Sequence, residues 1–316
     1  MTDDPAQRTP REAPGSIPPD RAHVLAEQRN ERTRSLHTMS VDEIARAIHD
    51  EDRRMLDAFE LALPELTALI EAAEPGFIAG GRLIYLGAGT SGRLGVLDAS
   101  EAPPTFQVEP GRIVGIIAGG DAALRRSSEH KEDEPEGALP ELQALAPTPS
   151  DTVIGLAAGG TTPFVRGAMA IAKRLCPNCL TAMLSCSPTE KPPGCDRLVV
   201  IPTGPEVLTG STRMKAGTAT KLALNTISTT LMVRSGRVYQ NLMVDLRASN
   251  DKLKDRAARI VAELTGLDRP GSLELLDLAG GGVKAAVVMH RLGVDLAEAE
   301  KRLSAAGGRL DRVIDP

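Results

Sequence analysis

Five short aliphatic runs, at residues 82–87, 112–118, 152–157, 180–185 and 197–201, constrain this chain more than any other feature. They are rich in Ile, Val and Leu, and no charge interrupts their interiors, the pattern of strands buried on both faces. Stretches with a helical period lie between most of them, at 92–99, 121–132, 136–145 and 163–175. Strand–helix alternation at this spacing requires right-handed crossovers and a mostly parallel sheet. The expected class is therefore α/β, with ligands held at the carboxyl ends of the strands.

The flanks differ. Residues 1–25, rich in Pro, Asp, Arg and Ala, read as a disordered tail. Ser40-Val-Asp-Glu43 is a capping-box pattern, and Val41, Ile44, Ala45, Ile48, Leu56 and Phe59 continue it with a helical period. Pro64 is expected to kink or restart that helix, which then runs to about Glu74. A long helix is expected over 212–235, closed by Gly236. Beyond about 240, glycines punctuate short helical stretches. The expected organisation is a tail over 1–25, an α/β unit with N-terminal helices over 26–239, and a small helical C-terminal region over 240–316.

Composition narrows the partners. Aromatic residues make up 2% of the 316, with no Trp, which disfavours a module that reads bases by stacking. A net charge of -5 gives no electrostatic reason to bind nucleic acid or an anionic membrane. No stretch approaches the ~20 apolar residues of a spanning helix. The N-terminus has no apolar signal segment, so a cytoplasmic location is expected. Cys176-Pro-Asn-Cys179 lacks the second knuckle of a zinc site, and no histidine has ligand spacing, so no metal is expected.

Three turns follow strands and combine glycines with hydroxyls. The first, Gly87-Ala-Gly89-Thr90-Ser91-Gly92, has the G-x-G-x-x-G spacing of a dinucleotide loop. A dinucleotide site also wants an acidic residue about 20 residues on. The candidate, Asp121, comes late, and Thr90 and Ser91 suit a phosphate monoester better. The second turn is Ala158-Gly159-Gly160-Thr161-Thr162, before Pro163 opens a helix. The third, Thr209-Gly-Ser211-Thr212-Arg-Met-Lys215, opens the long helix and brings positive charge. Glycine-rich turns ahead of helices expose backbone amides and a positive helix end to an anion. The candidate phosphate ligands are Gly89, Thr90, Ser91, Gly92, Gly159, Gly160, Thr162, Ser211, Thr212 and Lys215. Two carboxylates, Glu101 and Glu132, follow segments that start at this pocket edge; Glu132 lies in a charge run that also suits a solvated surface.

The motifs "GRLIYLGAGTSGRLGVLDASEAPPTF" and "TGSTRMKAGTATKLALNTISTTLMVRSGRVYQNLMVDLRASNDKL" closely resemble those of the N-acetylmuramic acid 6-phosphate etherases. "EQRNERTRSLHTMSVDEIARAIHDED" resembles the family's opening more loosely. The resemblance runs from about residue 26 to the C-terminus. It implies a sugar isomerase-type phosphosugar-binding domain, a flavodoxin-like sandwich with a helical C-terminal region, and a homodimer. It implies cleavage of the D-lactyl ether of N-acetylmuramate 6-phosphate without metal or organic cofactor, with Glu101 and Glu132 as the catalytic pair. In that scheme Glu101 donates a proton to the departing lactate. A related, much longer group, the glucokinase regulatory proteins, leaves a non-catalytic sugar-phosphate sensor as the alternative. One departure stands out. Where the family usually has A-A-S-G-R-T-P-Y, this chain has Gly159 for the serine and Thr161 for the arginine. His37 also stands where family members often carry Asp.

Overall fold

The computed structural model describes residues 20–246 and 251–315; the tail expected over 1–25 lies outside the described residues as far as position 19. Five parallel strands form the sheet: β1 (Leu83–Gly87), β2 (Ile113–Ile117), β3 (Thr152–Leu156), β4 (Leu180–Ser185) and β5 (Arg197–Val200). Their spatial order is β2-β1-β3-β4-β5, the flavodoxin order. All five fall where the aliphatic runs place them, because a strand buried on both faces is marked by its own residues.

Alternate side chains serve opposite faces. Tyr85, Ile154, Leu184 and Val199 pack beneath α1 (Val41–Ile78), α2 (Gly89–Phe106) and α5 (Lys215–Arg234). Ile84, Leu86, Val153 and Met183 pack beneath α3 (Leu139–Leu145) and α4 (Pro163–Leu175). The result is a three-layer α/β sandwich. A separate cluster unites a short antiparallel pair, β6 (Val238–Tyr239) and β7 (Leu242–Met243), with α6 (Asp251–Thr265), α7 (Arg269–Leu278), α8 (Val283–Leu292), α9 (Leu296–Ala305) and α10 (Asp311–Ile314). The hairpin is an addition to the helical region expected beyond 240.

Several helix boundaries differ from the sequence expectation. The capping box forms as expected, with Ser40 and Glu43 exchanging hydrogen bonds. Pro64, however, sits inside one continuous α1. Pro64 and Glu60 are both exposed, so the carbonyl left without a donor lies on the solvent side, while Ala62, Leu66 and Leu69 bury the opposite face. Helix α2 likewise runs through Pro103-Pro104 and ends at Gln107, in the left-handed region at φ 51°. Glu101 therefore lies within α2 rather than past it. The helix expected over 121–132 is instead two 3₁₀ turns, Asp121–Leu124 and Glu129–Asp133. Ser128 folds back onto Gly119, where a Cβ would stand 2.8 Å from Ser128 Oγ, and a continuous helix would carry Ser128 away.

Asp98 fixes α2 to its neighbours. Its buried carboxylate accepts hydrogen bonds from Tyr85 Oη at 3.0 Å, Asn225 Nδ2 at 2.8 Å and Ser228 Oγ at 3.1 Å. Burial pushes its carboxyl above the ordinary range, against the three hydrogen bonds that pull it down. Among the described residues, no helix is long and apolar enough to cross a membrane.

Candidate active site

A cavity of about 270 Å³ opens at the carboxyl ends of the central strands. Turn residues Gly89, Thr90 and Ser91 line it from β1, Gly159 and Thr162 from β3, and Thr212 from the loop after β5. Glycine is required at two positions of the first turn by close approach. A Cβ on Gly87 would stand 2.6 Å from the Gly92 nitrogen, and one on Gly92 would stand 2.6 Å from the Gly87 oxygen. This packing lets α2 begin directly at Gly89. The first helical amide paired to a backbone carbonyl is that of Gly92, bonded to Ala88 at 3.1 Å. The amides ahead of it are the orphan donors of a helix start, and they face the cavity with the positive end of the helix dipole behind them. Helix α4 repeats the arrangement. Pro163 opens it, and the Thr162 hydroxyl makes no capping bond to it.

Gly92, Gly160, Ser211 and Lys215 are not brought to the cavity wall. Gly92 serves the turn packing. Gly160, at φ 73°, presses on Thr189 behind the wall. Lys215 turns inward, with its side chain 2% exposed and its Nζ donating to Glu51 Oε2 at 2.6 Å. Its place is set by Glu206, fully buried, whose carboxylate accepts from the Lys215 amide at 3.2 Å and the Ala216 amide at 2.9 Å. Glu206 thus closes the start of α5.

The two glutamates part company. Glu132 is half-buried and lines the cavity, with Asp133 beside it. Glu101 is exposed and does not line it. It lies twelve residues along α2 from Gly89, which the helical rise converts to about 18 Å. Within one chain, Glu101 does not join Glu132 at the cavity wall.

Two further residues at the wall, Arg21 and Glu27, come from the segment before α1. No local signal marks them, because they follow no strand and belong to no turn motif. Arg21 is the one basic residue among the described lining residues, against the carboxylates of Glu27, Glu132 and Asp133. An anion here is therefore held mainly by amides, hydroxyls and helix ends. Among the described residues, no group of three or more His, Cys, Asp or Glu side chains is arranged to hold a metal. Cys176 and Cys179 are buried, and burial pushes the Cys179 thiol up to about 12, which disfavours the reactive thiolate.

Comparison with known proteins places this geometry in a family. Residues 65–173 match the glucokinase regulatory protein N-terminal SIS domain. An N-acetylmuramic acid 6-phosphate etherase of Synechococcus sp. (strain CC9605) is 50% identical over 285 residues, covering 90% of both chains. The protein of that name from Gloeobacter violaceus is 48% identical, over 92% of this chain and 95% of its own. That from Serratia proteamaculans is 48% identical, over 91% of this chain and 96% of its own. The chain belongs to the N-acetylmuramic acid 6-phosphate etherase family.

Proposed function

We propose that this protein cleaves the D-lactyl ether of N-acetylmuramic acid 6-phosphate, giving N-acetylglucosamine 6-phosphate and D-lactate. The observation that carries the reading is a hydroxyl- and amide-lined cavity with Glu132 on its wall, in a chain half identical to proteins named for this activity. The substrate phosphate sits at the starts of α2 and α4, against Thr90, Ser91 and Thr162. Gly159 offers a backbone amide there. No metal or organic cofactor takes part in this scheme.

An ether is a poor target for direct displacement. The open-chain sugar has an aldehyde at C1 that acidifies the C2 proton. A carboxylate takes that proton, a carboxylic acid protonates the ether oxygen, and the C3–O bond breaks with loss of lactate. Water then adds to C3 of the unsaturated aldehyde, and a proton returns to C2. Two carboxyl groups in opposite protonation states meet this need. Glu132 is one of them. Glu101 serves as the acid toward lactate from a second copy of the chain, so the working unit is a homodimer. Leu97, one turn before Glu101 on the same helix face, is exposed and gives that face apolar area to bury. The four free, buried cysteines suit a reducing cytoplasm.

The SIS-domain match supports a second reading, a sugar-phosphate sensor without catalysis. Incubation with N-acetylmuramate 6-phosphate and an assay for free D-lactate separates the two. Release at enzymatic rates is expected. Binding without release leaves only the sensor.

A further inference from the structure

Residues 24–38 form a strap of three 3₁₀ turns, Leu25–Glu27, Glu31–Thr33 and Leu36–Thr38. Polar anchors pin it to the loops after β4 and β5. The Ala26 amide donates to Ser187 Oγ at 3.1 Å, Asn30 Nδ2 to the Pro205 carbonyl at 3.1 Å, and Thr33 Oγ1 to the Val207 carbonyl at 2.8 Å. Arg32 Nη2 donates at 2.8 Å to Glu51 Oε2, the oxygen that Lys215 also holds. Val24, Ala26, Asn30 and Thr33 are buried, so the strap is built into the fold. Buried polar groups are costly unless paired, and each of these is paired.

Glu27 lies between the Ala26 and Asn30 anchors and lines the cavity. Its Oε2 is 3.1 Å from where a Cβ on Gly210 would stand, so glycine there leaves it room. Among the described residues, no hydrogen bond or ion pair occupies this carboxylate. Glu132 and Asp133 reach the cavity from the segment after β2, and Glu27 rests on the loop after β5, the opposite edge of the sheet.

We infer that Glu27 is a substrate-contacting specificity residue, accepting hydrogen bonds from the neutral donors of the bound phosphosugar, its ring hydroxyls or amide N–H. This rests on the phosphosugar reading of the pocket. An ionised carboxylate only accepts hydrogen bonds, and it repels phosphate. Glu27 therefore fixes orientation. The phosphate goes to the helix starts, and the sugar faces the strap.

The test compares wild type, Glu27→Gln and Glu27→Asp, titrated with N-acetylglucosamine 6-phosphate and with inorganic phosphate alone. The amide keeps the size but loses the charge, and the shorter Asp keeps the charge but not the reach. Glu27→Gln should weaken phosphosugar binding about 10- to 100-fold while phosphate binding is unchanged or tighter. Glu27→Asp should fall between. Equal phosphosugar affinity in Glu27→Gln and wild type overturns the inference. So does a parallel loss of phosphate affinity and melting temperature, which would mean a structural role. A wild-type chain that binds no phosphosugar fails the functional reading itself, and this inference with it.

Discussion

The Lys215 ammonium stands 2.6 Å from Glu51 Oε2, and neither side chain is more than 3% exposed. A lysine from the third hydroxyl-rich turn thus serves the join between α1, α5 and the strap. Burial alone would push the Glu51 carboxyl up; hydrogen bonds from Arg32 and Lys215 outweigh it and hold the group at about 2.

Removing one partner should strand a buried charge. Glu51→Ala is expected to cost roughly 3–5 kcal/mol in urea unfolding, mostly the penalty of leaving Lys215 unpaired. The pair also sets a pH dependence. The folded carboxyl is depressed from 4.5 to about 2, so its stabilisation is fully present above about pH 4.5 and is lost as pH falls toward 2. Melting temperature against pH should decline less steeply across that window in Glu51→Gln than in wild type. An identical slope in both would remove Glu51 from the account.

Ser91 is 9% exposed and lines the cavity at the start of α2. Ser91→Ala should weaken N-acetylglucosamine 6-phosphate binding by about 1–3 kcal/mol by calorimetry, the loss of a charge-assisted hydrogen bond. Unchanged affinity would move the phosphate elsewhere.

By the family resemblance Gly159 takes the place of a serine, and a Cβ there finds space. A Cβ there meets Val24 Cγ1 at 3.4 Å and Thr161 Oγ1 at 3.6 Å, ordinary contacts. Gly159→Ser should fold normally and bind phosphosugar more tightly, by about 0.5–1.5 kcal/mol. Weaker binding would show that the added hydroxyl points away from the phosphate.

The separation of Glu101 from the cavity makes a complementation experiment decisive. Glu101→Gln and Glu132→Gln should each lower turnover by roughly 10²–10⁴-fold, with phosphosugar binding near normal. If Glu101 serves the partner's cavity, subunits of the two variants exchanged in equal amounts should recover roughly a quarter of wild-type activity. Half of the dimers are then mixed, and each mixed dimer has one intact pair of its two. No recovery would mean that both glutamates act within one chain.

The strands and the turns that follow them were legible in the sequence, because both are local. An aliphatic run declares a strand buried on two faces, and its end fixes where Gly89, Thr90 and Ser91, or Gly159 and Thr162, emerge. Helix limits were less legible, since packing overrode local signals. Pro64 stays within α1 because the opposite face is buried, and α5 is closed at its start by Glu206, nine residues before Lys215. The site was legible only in part. Nothing local says that Lys215 faces Glu51, which lies 164 residues away in the chain, or that Glu27 is carried to the cavity by anchors on Ser187 and Pro205. Glu101 follows the first turn closely in sequence, yet the rigid rise of α2 carries it away from the cavity wall. Sequence determined which segments carry donors and carboxylates, since that depends on residue type and short-range periodicity. Only the tertiary structure decided which of them share one cavity, because that depends on contacts between residues far apart in the chain.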